Sequence, residues 1–433
     1  MRLLAVTAGA GGMYCGSCLR DNTLAAELQA RGHDVTLLPV YTPTRTDEEN
    51  VSDSRVFFSG ISVYLEQNVP LFRKTPAVLD FLWDTPAVIR LATGRGVSVD
   101  PELLGDLTVS MLQGEAGHQA KEFGKLVRYL KRQPPFDVVM LPTSLLASLA
   151  PPLRRELARP IVCTLSGEDL FLEGLPPPYR KQAKALIGEA ARAVDRFVAT
   201  SDYYAEFMAG YLALPRRKIA VAPIGIRFDG LEPAAAPVER PFTIGYLARI
   251  APEKGLHLLA SAYIKLRREL GLGPARLEAA GYLAPEHRTY LDGIAKALAA
   301  VGLESEFRCH ATVDRAQKVE FLRGLDALSV PSPYAEPKGL YLLEALASGV
   351  PVVEPRHGAF PELVEATGGG LLFAPGDVSD LAARILELAA DPERRRALGR
   401  SGSAAVRQRY SAARMAERTL EICKGAQAAF AGR

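Results

Sequence analysis

The chain has 433 residues, 48% of them hydrophobic and 23% charged, with a net charge of +3. That is enough apolar material for two globular domains and too slight a basic excess for a nucleic-acid partner. Five cysteines, Cys15, Cys18, Cys163, Cys309 and Cys423, are too sparse and too odd in number for a disulfide framework, and they fit a reducing, cytoplasmic compartment.

The opening run from Leu3 to Thr7 reads as a short strand continuing into Gly9, Gly11 and Gly12, with no signal-peptide cleavage pattern. A helix is predicted from Asp21 to Arg31, and Gly32-His33-Asp34 turns into a second strand, Val35 to Val40. This β-loop-α-β order is that of a doubly wound domain. The loop G-A-G-G-M-Y lacks the third glycine of a dinucleotide fingerprint. Cys15-Gly16-Ser17-Cys18 follows it. Redox work would need an activated, accessible thiolate, and zinc would need a second ligand pair that the sequence lacks. Packing at the mouth of the cleft outweighs both.

From Tyr41 to Gln133 the pattern is less regular. VPLFRKTPAVLDFLWDTPAVIRLATGR mixes aromatic, aliphatic and basic residues, with breaks at Pro76 and Pro86. A face for peripheral contact with the inner membrane surface competes there with covering helices, and so few basic residues favour the helices. No run approaches the length of a membrane span. A helix from Gly117 to Lys131 and strands at Asp137 to Leu141, Ile161 to Leu165 and Phe197 to Ser201 follow. The second of these strands ends in Ser166-Gly167-Glu168-Asp169, at the carboxyl end of a parallel strand, where such folds place ligands. Glu168 and Asp169 serve equally well as caps of the next helix.

Phe228 to Arg240, rich in Pro, Ala and Glu, reads as an interdomain linker. Thr243 to Leu247 opens a second strand-loop-helix series, whose loop carries Arg249 and Lys254. Further strands are predicted to end at Gly281, to span Phe307 to Val313, with His310 structural, and to span Asp326 to Val330. Pro331 to Pro351 reads as a turn, a helix with Pro337 in its first position, and a stop at Gly349 and Pro351. Leu340, Leu343 and Ala347 form the apolar stripe of that helix, and Glu344 lies on it. A carboxylate there is desolvated unless something hydrogen-bonds it.

Glu336 and Glu344, inside E-P-x-G-L-x-x-L-E-A-L-A-S-G-V-P-V-V, resemble the donor-binding signature of the family-four glycosyltransferases of the GT-B fold. Arg249-x-x-Pro252-Glu253-Lys254-Gly255 resembles the basic loop of that family, and the glycine loop with RGHDV resembles its opening. The likeness is dense from Thr243 to about Tyr410 and looser before. It implies an α/β chain of two Rossmann-like domains, their parallel sheets facing a central cleft. Residues 1–227 would form the acceptor side, 228–240 the linker and 241–410 the nucleotide-sugar domain, with a last helix over about 411–430 packing back on the first domain.

The implied function is retaining transfer of a hexose-like sugar from a nucleotide sugar, a UDP-sugar ahead of GDP- and ADP-sugars. The acceptor would be a saccharide, a lipid-linked molecule or a small molecule. The resemblance gives Glu336, Arg249 and Lys254 the catalytic roles: Glu336 faces the transferred sugar, and the two cations neutralise the leaving diphosphate. Glu344 would bind the ribose hydroxyls, the Gly339 and Leu340 amides the diphosphate, and Gly11, Gly12 and Gly358 would approach the donor. Lys338 stands where the family has Phe and is assigned an added donor contact. Ser166 stands where the family often has His, and it joins Glu168, Asp169, Cys15 and Cys18 on the acceptor side. No Asp-x-Asp triplet occurs, so neither a metal nor a separate cofactor is expected. A nucleotide-sugar epimerase and a catalytically silent nucleotide-sugar-binding protein are the alternatives.

Overall fold

A computed structural model describes residues 1–9, 15–58, 63, 66–67, 101–233, 240–311 and 314–432. Gly11, Gly12 and the 69–95 stretch lie outside these residues. The chain divides into two compact units, Met1–Pro223 with Met415–Arg433, and Ile224–Arg414.

The first unit holds strands β1 (Arg2–Thr7), β2 (Asp34–Pro39), β3 (Val138–Leu141), β4 (Ile161–Leu165), β5 (Arg196–Ala199) and β6 (Ile219–Val221). They form one sheet in the order β2-β1-β3-β4-β5-β6, parallel throughout. Parallel neighbours cannot be joined by a hairpin, so helices cross between them and cover the sheet. That is why the runs VVML of β3 and IVCTL of β4 are apolar and buried along their whole length. Leu4, Val6, Val139, Leu141, Phe197 and Phe123 centre the core.

The second unit repeats the plan. Strands β7 (Phe242–Leu247), β8 (Ala275–Gly281), β9 (Phe307–Ala311), β10 (Ala327–Leu328), β11 (Val352–Pro355) and β12 (Gly370–Phe373) form a parallel sheet in the order β12-β11-β10-β7-β8-β9.

Several boundaries differ from the sequence reading, and three of them bear on the residues discussed below. The first helix is Gly16–Ala30 and starts well before Asp21, because the extended backbone of Cys15 lets its carbonyl accept the Leu19 N–H at 2.9 Å. Strand β10 covers only Ala327–Leu328; beyond it the Ser329 N–H still donates to the Gly245 carbonyl at 2.9 Å, while on the β11 side the bonds pass to side chains. The Ser329 hydroxyl donates to the Val353 carbonyl at 2.5 Å, and the Val330 N–H donates to Glu354 Oε1 at 3.3 Å. The helix placed from Pro337 begins at Leu340, since Gly339 at φ +63 turns the chain immediately before it. Lys338 therefore precedes the helix and does not stand in its first turn.

The closing helix is Ala412–Ala431, and from Met415 it belongs to the first unit. There Glu417 pairs with Arg31 at 3.2 Å, and Arg154 lies 4.8 Å from the centre of the Phe430 ring. No helix among the described residues is long and apolar enough to cross a membrane.

Candidate active site

Three loops at the carboxyl ends of β7, β10 and β11 carry the predicted donor residues of the second unit. Backbone contacts that only glycine permits hold them together. Gly255 has φ +76, and a Cβ on it would lie 2.0 Å from the Pro331 carbonyl oxygen. The β7 loop therefore rests directly on the β10 loop. The Ser332 hydroxyl ties the same two loops, 2.8 Å from the Glu253 carbonyl oxygen. This packing brings Lys254 to Glu336, where ammonium and carboxylate form an ion pair, with side chains 13% and 9% exposed. The β11 loop closes on the other side. Gly358 has φ +61, a Cβ there would lie 2.6 Å from the Glu336 carbonyl oxygen, and the Ala359 N–H donates to that oxygen at 2.8 Å. Glu336 is thus gripped at its backbone by one loop and at its carboxylate by another.

Glu344, in the middle of the Leu340–Ala347 helix, is buried, and its Oε1 accepts from Lys318 Nζ at 2.5 Å. Arg315 Nη1 stands 4.0 Å from the same oxygen, while its Nη2 donates to the Asp229 carbonyl at 2.9 Å. Arg249 pairs with Glu253 at 2.8 Å and is half exposed. The predicted residues therefore group as Lys254–Glu336 with Gly358, and as Glu344 with two cations from the Arg315–Arg323 helix. Arg249 is held by its own loop.

Neither Lys318 nor Arg315 was singled out from the sequence. Lys318 had a signal: it lies four residues before buried Leu322, on the inward face of its helix. Glu354 was missed as well, although a charge inside the apolar run PVVEP marks it. It is fully buried, and its Oε2 has no hydrogen-bond partner among the described residues. Burial holds the Glu354 carboxyl well above the usual carboxylate range, and nearby Glu336 adds to the shift. The Tyr341 hydroxyl and His357 Nδ1 are also buried without partners among the described residues. Burial pushes the Tyr341 phenol up and the His357 imidazole down. His310, by contrast, is exposed and pairs with Glu278 at 2.9 Å.

In the first unit the Ser166–Asp169 turn is built around Glu168. Its Oε1 accepts from the Ser144 N–H at 2.9 Å and the Ser144 hydroxyl at 2.7 Å. Its Oε2 accepts from the Ser166 N–H at 2.6 Å and the Tyr204 hydroxyl at 3.3 Å. Three donors of its own, and a Tyr204 hydroxyl it shares with Asp169, on a carboxylate 4% exposed make it a latch between the ends of β3 and β4. Neighbouring Asp169 accepts from the Tyr204 hydroxyl at 2.7 Å. Cys15 lies half-buried at the first helix and Cys18 is buried beneath it.

Two parallel six-stranded sheets with covering helices define the GT-B architecture. A protein of Anabaena solved with UDP-glucose shares that fold, with a TM-score of 0.67 and 17% identity over 98% of this chain and 100% of its own. A glycosyl transferase 4-like domain is matched over residues 22–225, and glycosyl transferases group 1 over residues 231–404. The chain belongs to this family-four-like, group 1 family of GT-B glycosyltransferases. Among its relatives, a D-inositol 3-phosphate glycosyltransferase of Segniliparus rotundus is 31% identical over 247 residues, 53% of this chain and 52% of that one. A GDP-mannose-dependent alpha-(1-6)-phosphatidylinositol monomannoside mannosyltransferase of Mycolicibacterium smegmatis is 29% identical over 288 residues, 59% of this chain and 68% of that one. The match thus spans between about half and two thirds of the length of these relatives.

Proposed function

We propose that this chain transfers a sugar from a nucleotide sugar to a hydroxyl group with retention of anomeric configuration. The observation that carries the reading is the Lys254–Glu336 pair, clamped by Gly255 and Gly358 ahead of the Leu340–Ala347 helix. An ammonium has three donor hydrogens, so Lys254 can keep one on Glu336 and offer another to a phosphate oxygen. Arg249 adds a second cation, and the Gly339 and Leu340 amides open a helix whose dipole favours anions. The charge that grows on the departing diphosphate meets fixed positive groups there, with no metal required. Glu344, steadied by Lys318 and Arg315, takes the ribose hydroxyls.

In the transfer step the bond from the anomeric carbon to the diphosphate oxygen breaks. The acceptor oxygen bonds that carbon from the same face, and the freed phosphate oxygen takes the acceptor proton. Glu336 orients the sugar and does not become glycosylated. The acceptor belongs to the first unit, near the ends of β1 and β4. The internal bonds of Glu168, and the Tyr204 bond of Asp169, give both a building role, so on this turn the acceptor side rests on Ser166.

The donor is a UDP-sugar in this reading, supported by the UDP-glucose complex of the Anabaena protein. The GDP-mannose in the name of the mycobacterial relative makes GDP-sugars the first competitor. Melting the protein with UDP-, GDP- and ADP-sugars tests this directly. A ligand at one hundred times its Kd stabilises the native state by about 2.7 kcal/mol, so in a titration carried to millimolar ligand the true donor class raises Tm the most. A flat response to all three sinks the proposal.

A further inference from the structure

Sugar transfer leaves the Cys15–Cys18 pair without a task. Cys15 is the N-cap of the 15-residue helix Gly16–Ala30, with an extended backbone and no capping bond from its side chain to the helix amides. Cys18 lies three residues on, within the first turn, and is 1% exposed. Cys15 at the N-cap and Cys18 at the third helical position stand where a capping side chain meets the first turn. A disulfide needs its Cβ atoms about 3.5–4.5 Å apart, and the extended, non-helical backbone of Cys15 lets the N-cap residue close on Cys18 by a local adjustment. Behind the pair, Thr7 Oγ1 donates to Asp21 Oδ2 at 2.9 Å, and Asp21 is ion-paired with Arg20.

We propose that Cys15 and Cys18 form a thiol–disulfide exchange centre, with Cys15 attacking, Cys18 resolving, and a low-molecular-weight disulfide such as oxidised glutathione as oxidant. Cys15 is the more accessible sulfur and stands at a helix end whose amides and dipole favour a thiolate. Its thiolate attacks one sulfur of the oxidant; that S–S bond breaks, a mixed disulfide forms on Cys15, and the first thiolate leaves and takes a proton from water. Cys18 then gives up its proton and attacks Cys15 Sγ, and the second thiolate leaves and is protonated. The protein loses two protons and two electrons, and the oxidant becomes two thiols. Interaction with the neighbouring Cys15 sulfur, and then burial, hold the Cys18 thiol far up its range, as suits a resolving group that waits as a thiol. The remaining cysteines have no cysteine within three residues, and burial pushes Cys309 up to about 11 and Cys423 up to about 12.

The inference is independent of the donor reading, and the full chain tests it. The protein is equilibrated with increasing oxidised glutathione, quenched in acid and mapped by peptide mass. The expected product is one internal disulfide joining Cys15 to Cys18. Cys18→Ser is expected to accumulate glutathione stably on Cys15. In Cys15→Ser, Cys18 is expected to react at least about tenfold more slowly than Cys15 does in Cys18→Ser, because burial hides its sulfur. A wild-type pair that stays reduced throughout the titration, or that joins a different cysteine, overturns the proposal without any variant. Equal reactivity of the two thiols in folded variants overturns the assigned order of attack.

Discussion

At the scale of single residues, the site is governed by buried charges that must be paired. Glu344 sits on the apolar stripe of its helix and stays there because Lys318 meets it at 2.5 Å. Removing one partner of such a pair costs about 3–5 kcal/mol, because the other is left uncompensated. Lys318→Met should therefore lower the urea midpoint markedly and weaken donor binding, whereas Lys318→Arg should recover part of both. A Met variant as stable as the parent contradicts the buried pairing. Glu354 is the opposite case, a carboxyl whose burial favours its protonated form. Its folded pKa lies above its unfolded value, so above about pH 4.5 the unfolded chain releases this proton first and stability falls as pH rises. Glu354→Gln cannot lose a proton. The stability difference should shift towards the Gln variant by up to about 1.4 kcal/mol per pH unit from about pH 4.5 upward, until the folded carboxyl itself ionises. Denaturant melts of both proteins between pH 4.5 and 8 check the slope, and a constant difference means Glu354 titrates normally.

At the scale of elements, turns decide where the chemistry points. The β11 loop reaches Glu336 only because Gly358 has no side chain: at φ +61 its Cβ would collide with the Glu336 backbone. Gly358→Ala should destabilise the protein by at least about 1–2 kcal/mol from backbone conformation alone. It should also displace Glu336 and raise the donor KM, with Tm and steady-state kinetics as the readouts. An Ala variant with parental kinetics shows that the loop contact does not set the site. Lys338 stands just ahead of the Leu340–Ala347 helix, so its assigned role is contact with an arriving phosphate. Lys338→Ala is expected to weaken binding of the intact nucleotide sugar by about 1 kcal/mol or less in Tm-derived affinity, the range for a cation near a helix end. An unchanged dissociation constant removes it from the donor site.

At the scale of the whole molecule, each unit has its own six-stranded parallel sheet, its own covering helices and its own core. A fragment of residues 224–414 is expected to fold alone, melt cooperatively and bind the nucleotide sugar without transferring its sugar. Circular dichroism and a thermal-shift titration decide this, and a fragment that is unfolded in buffer shows that the units depend on each other. Most of this plan was legible in the sequence, because buried parallel strands announce themselves as short apolar runs between glycine turns and amphipathic helices. The Glu336–Glu344 spacing was legible for the same reason: it lies within one continuous stretch. What tertiary structure alone decided were the partners that spacing cannot reach. Lys318 meets Glu344 across 26 positions, Lys254 meets Glu336 across 82, and Ser144 meets Glu168 across 24. Local sequence sets backbone preference and which face of an element is apolar. Only the packing of the sheets determines which buried charge finds its counter-charge, because that pairing depends on where separate loops end in space.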